Sequence, residues 1–161
     1  MGFEVVLAKP SDREHDGNRV WAEVFCKALP QFTELDVSIE NRRFLALDLA
    51  SDIGLTPDEY VEREIGLELD FERGDFWVRV EFWQTSATIT LPNFPTIPIE
   101  AAVAEILPCI EFLVAVGFTL EDPTSGAPMP PGDREAELVK AYSERQAQVA
   151  RVAELTGGTI A

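Results

Sequence analysis

The period of the hydrophobic pattern changes several times along the chain, and each change marks an element. Residues 3–9 (FEVVLAK) are a short apolar run with β-branched positions, which predicts a first strand. A polar stretch, 10–19, leads into a helix on which Val20, Trp21, Val24, Phe25 and Ala28 recur at helical spacing until Pro30 stops the pattern. That phase places Trp21 in the core. Leu35, Val37 and Ile39 then alternate with Asp36, Ser38 and Glu40, and Asn41-Arg42-Arg43 turns the chain into FLALDL, the pattern of a hairpin. After Gly54, Thr56 can cap a short helix, with Pro57 at its first position and Glu59 where a capping box wants a carboxylate.

The clearest β pattern runs from 65 to 91. Leu67, Leu69 and Phe71 face one way and Glu68, Asp70 and Glu72 the other; Arg73-Gly74-Asp75 makes the turn; Phe76, Val78, Val80 and Phe82 continue the apolar face. Ala87, Ile89 and Leu91 add a third strand, completing an antiparallel meander with one wet face. From Thr96 to Gly117 a broad stripe (Ile99, Val103, Ile106, Ile110, Leu113, Val114) predicts the main buried helix, kinked at Pro108 and capped by Gly117-Phe118, with 118–121 as a last strand. Residues 123–132 (PTSGAPMPPG) read as an extended linker, and 133–155 as a second strong helix capped by Asp133. The expectation is an α+β fold: a mostly antiparallel sheet with two packed helices in a domain over 1–122, then the Pro/Gly linker, the C-terminal helix, and a flexible tail over 156–161.

Composition changes this picture through charge. The 161 residues hold 29 acidic against 13 basic side chains, a net charge of -16. Nucleic acid and anionic membrane surfaces would be repelled, and no run approaches the ~18 apolar residues of a spanning helix. Met1 opens into strand-like sequence without a basic leader, and Cys26 and Cys109 are isolated in apolar surroundings, so a cytoplasmic protein without disulfides is expected. Ten arginines against three lysines suggest a GC-rich bacterial source. Ten carboxylates between Asp48 and Asp75 face only Arg63 and Arg73, a concentration that suits a basic partner as well as plain solubility.

On the strand 76–84 the wet positions are Trp77, Arg79, Glu81 and Trp83, beside Glu68, Asp70 and Glu72 on the neighbouring strand. Tryptophan buries large area for little rotamer entropy, so this composition fits a partner-binding surface, unless the tail helix covers it and makes both rings core. On that helix Val139, Tyr142, Gln146, Val149 and Ala153 form a heptad seam, which fits a homodimer or packing against the parent domain.

Catalytic signals are thin. His15 is the single histidine, and with Asp12, Glu14 and Asp16 it crowds one polar loop; no metal or cofactor site is expected. Glu68 and Asp70 could in principle form a carboxylate pair for hydrolysis, yet such pairs are ordinary on solvated strands. No glycine-rich phosphate loop is present.

The order of elements, closing in G-F-T-L-E-D-P-T-S-G (Gly117 to Gly126), resembles a loose group of small bacterial proteins that are uncharacterised or act as immunity-type partners of polymorphic toxins. Thr124 stands where that group usually has glutamine, and the first strand lacks its tyrosine and aspartate. The resemblance implies a non-enzymatic binding protein and assigns Asp122 only a turn-forming role. The leading expectation is therefore capture of a basic protein by the acidic, Trp-bearing face. A homo-oligomer assembled by the C-terminal helix comes second and a carboxylate hydrolase third.

Overall fold

The computed structural model describes residues 2–10, 18–29, 36–38, 66–73, 75–83, 85–130 and 132–157. Strands β1 (Gly2–Ala8), β2 (Asp36–Ser38), β3 (Gly66–Arg73), β4 (Phe76–Trp83), β5 (Ser86–Pro92) and β6 (Thr119–Leu120) form one sheet. Its order is β2-β3-β4-β5-β1-β6, with every neighbouring pair antiparallel. Helices α1 (Asn18–Ala28), α2 (Ile99–Ala115) and α3 (Arg134–Thr156) complete an α+β fold. The meander β3-β4-β5 follows the alternation of its sequence, whereas the first strand inserts between β5 and β6, a pairing of distant segments that local pattern does not encode. The hairpin return at 44–49, the helix from Thr56 and the His15 loop lie outside the described residues.

One face of the sheet is apolar and fully packed. Phe3, Val5 and Leu7 on β1 lie opposite Leu91, Ile89 and Ala87 on β5; Val80 and Phe82 continue the row on β4, and Leu69 and Phe71 on β3. α1 lies over β3 and β4, with the Phe25 ring 6.1 Å from Phe71, 5.9 Å from Phe82 and 6.1 Å from Phe112 of α2. Its buried stripe is Trp21, Ala22, Phe25 and Leu29, while Val24 (42% exposed) and Ala28 face away, contrary to the spacing argument. The two large rings set the phase: Trp21 meets Phe118 edge-on at 4.9 Å, and turning the helix toward Val24 would pull both rings out.

α2 spans 99–115 and continues through Pro108. It ends as its sequence predicts. Gly117 takes φ 109°, its N–H donates to the Val114 carbonyl, and the Phe118 N–H reaches back to Leu113, a pair of bonds that satisfies two carbonyls at the helix end and sends Phe118 into the core.

The proline-rich stretch, read from sequence as an extended linker, is tied to the domain over most of its length. The Asp122 carboxylate accepts the N–H groups of Thr124 (2.8 Å) and Ser125 (3.2 Å), and its carbonyl accepts that of Gly126, which sits at φ 73°. Glu121 then bridges Pro128, the Met129 N–H donates to Leu120, and the Met129 side chain is buried. The turn forms because Asp122 accepts three successive backbone N–H groups, two on its carboxylate and one on its carbonyl.

Candidate functional site

Strand alternation puts a second, polar set of residues on the opposite face. The register aligns them in rows: Glu4, Thr90, Arg79 and Asp70 in one, and Val6, Thr88, Glu81 and position 68 in the next. Trp77 lies opposite Glu72, and Trp83 opposite Gly66. Trp77, Arg79, Glu81 and Trp83 are all half-buried, every second residue along β4, between fully buried Phe76, Val78, Val80 and Phe82. Six residues separate the two indoles, so they stand about 20 Å apart and bracket the charged pair between them. They are two anchors, one at each end of the strand, and they do not form a single aromatic patch.

α3 packs on the other face. Tyr142 stacks on Phe3 with ring centroids 4.6 Å apart and planes within 8°, and its hydroxyl donates to the Pro92 carbonyl. Phe3 belongs to the apolar side, so this helix sits beside α2 there and does not lie over Trp77 and Trp83. Among the described residues, no helix covers the polar face.

The electrostatics differ from the expectation in one respect. Asp70 was expected as an exposed carboxylate; it is only 8% exposed, and Arg79 across the strand pair donates its Nε–H to Oδ1 at 2.9 Å. Register is the cause, since positions 70 and 79 are direct neighbours on this face, and a charge-assisted bond there offsets the loss of hydration. Remaining negative charge comes from Glu4, Glu72 and Glu81. The Thr90 hydroxyl, beside Arg79 in its row, is buried without a hydrogen-bond partner, at a cost of roughly 1–3 kcal/mol.

No family model matches the chain, and searches of curated proteins and of solved structures return no match.

The alternation placed Thr88 and Thr90 outward, but Glu4 and Val6 were not singled out from sequence. Only the β1–β5 pairing, which joins residues 78 to 90 positions apart, brings Glu4 and Val6 onto this face. On the tail helix, for which the sequence left a homodimer and packing on the parent domain both open, Tyr142 is fully buried within its own chain together with Leu138, and Val139 packs partly against the same core, so two of the five seam positions are used internally. Gln146, Val149 and Ala153 are half-buried; the exposed apolar residues are Val152 (58%) and Leu155 (81%), neither of them in the seam.

The carboxylate-hydrolase reading loses Asp70 to its ion pair with Arg79. Cys109 is buried in α2 and Cys26 is half-buried on α1; loss of hydration pushes both thiols up, away from nucleophilic thiolate. Among the described residues no group of three His, Cys, Asp or Glu side chains could hold a metal ion, and no helix is long and apolar enough to cross a membrane.

Proposed function

We propose that this protein is a non-enzymatic binding module that captures a basic protein through the polar face of its sheet, as an immunity-type protein covers a toxin. The observation that carries this reading is the pair of half-buried indoles, Trp77 and Trp83, at the two ends of a strand whose polar face no helix covers among the described residues and whose surroundings are net negative. Each ring supplies apolar area that a partner can desolvate, and Glu4, Glu72 and Glu81, with Glu68 on the neighbouring strand, supply the field that draws a cationic surface into register. Arg79 and Asp70 hold each other in the middle and act as a fixed polar contact. The two free thiols, Cys26 and Cys109, support a cytoplasmic setting for this module.

Trp77→Ala combined with Trp83→Ala tests the reading. A buried interface tryptophan is worth about 2 kcal/mol or more, so the double variant is expected to lose a partner captured from the native host by at least about 100-fold, with an unchanged melting temperature. Capture should also weaken as salt rises, because the steering charges are exposed. Undiminished capture by the folded double variant would refute the assignment.

A further inference from the structure

The first strand has an open side. β6 pairs with β1 only at Leu7 and Ala8, and the Glu121 N–H adds one bond to the Val6 carbonyl at 3.0 Å. Along a strand, successive residues turn their backbone groups to alternate sides. Val6 faces β6, so Glu4 and Gly2 direct their N–H and C=O groups the same way, and among the described residues no strand meets them. Edges of this kind are usually blocked by proline, lysine or a bulge, and β1 has none of these.

This edge forms the floor of a groove of about 610 Å³. The Asp122 turn closes one end, and α3 forms the wall through Ala141, Glu144, Arg145 and Gln148. From Gly2 to Val6 the floor is five residues long, so at ~3.3 Å per residue it accepts about five residues of extended chain. Its carboxylates are Glu4, Glu121, Asp122 and Glu144, against the one cation Arg145.

We propose that the groove is a strand-addition site for an extended, basic peptide segment of a partner protein. Backbone bonds to Glu4 and Gly2 would extend the sheet by one short strand, and Lys or Arg at alternate positions would meet the acidic lining. A second copy of this chain does not fit: its own β1 edge is recessed between the same walls, and it carries the same charges. The site goes beyond the tryptophan face and does not depend on it, since Trp77 and Trp83 lie on β4, two strands away.

The test uses fluorescein-labelled Lys-Val-Lys-Val-Lys-Val, blocked at both ends, in anisotropy titrations with the full chain at low salt. Saturable binding is expected. The Glu-Val-Glu-Val-Glu-Val analogue should not bind, and the lysine peptide N-methylated at every backbone nitrogen, which keeps its charge but cannot pair as a strand, should lose binding at least tenfold. Glu144→Lys, on the exposed face of α3, should weaken the lysine peptide several-fold, and the Trp77→Ala/Trp83→Ala variant should bind it as the parent does. Binding of the N-methylated or acidic peptide within threefold of the parent, absence of saturable binding up to millimolar concentration, or loss of binding in the tryptophan variant would each overturn the proposal. The last variant also separates the two readings: undiminished partner capture with retained peptide binding leaves the groove standing without the face, whereas lost capture with no peptide binding by the parent chain leaves the face standing without the groove.

Discussion

Phe25→Ala is expected to destabilise the protein by about 3–5 kcal/mol, as removal of a fully buried aromatic ring generally does. The reason for the high end of that range is geometry. The Phe25 ring touches both β3, through Phe71, and β4, through Phe82, and it also meets Phe112 of α2. Three edge or tilted contacts disappear together, and a cavity opens at the junction of a sheet and two helices, where no single element can move to fill it. Against a total stability of about 5–15 kcal/mol this leaves a marginal fold. Urea denaturation followed by circular dichroism measures it; a loss below about 1.5 kcal/mol would mean that α1 does not pack where its rings place it. Val24→Ala, on the exposed side of the same helix, serves as the control and should change stability by no more than about 0.5 kcal/mol.

Tyr142→Ala is expected to cost a similar amount, about 3–5 kcal/mol, with a different signature. The residue joins α3 to the sheet twice, by stacking on Phe3 and by its hydroxyl bond to Pro92. Burial also pushes the phenol above its ordinary range, so the neutral, donating form is held. Its removal should free α3 before the rest of the domain unfolds, making 134–156 the first segment cut in limited proteolysis. Tyr142→Phe, which keeps the stack and loses the bond, should cost only about 1 kcal/mol. Equal losses in the two variants would show that the hydroxyl, and not the ring, holds the helix.

Much of this architecture is legible in the chain. Strict alternation over 67–91 dictates the meander and its two faces, and Gly117-Phe118 and Asp122 dictate their turns because only particular backbone chemistry satisfies those positions. Three things were not legible. The place of β1 depends on pairing with two segments distant in sequence, β5 and β6, and the open edge and its groove follow from that pairing alone. The phase of α1 depends on which rings find partners, and Val24 and Phe25, adjacent in sequence, compete for the same stripe. The neutralisation of Asp70 depends on register: shifting β3 against β4 by two residues would leave both it and Arg79 with other neighbours. The tail seam was ambiguous for a related reason. Heptad spacing describes one apolar face, and the same face serves a partner helix or the parent domain equally well until Phe3 and α2 are known to lie against it.

Fluorescence quenching tests the outward, negatively charged setting of the β4 indoles most directly. Trp21 is buried, so a Trp21→Phe variant reports on Trp77 and Trp83 alone. With each quenching constant divided by that for free N-acetyltryptophanamide, which iodide intrinsically quenches better, caesium should quench this emission more steeply than iodide at low ionic strength, and the difference should fade as salt is added. Emission that neither ion quenches would mean that the rings are sealed, and steeper quenching by iodide would mean that their surroundings are not acidic; either result would contradict the account.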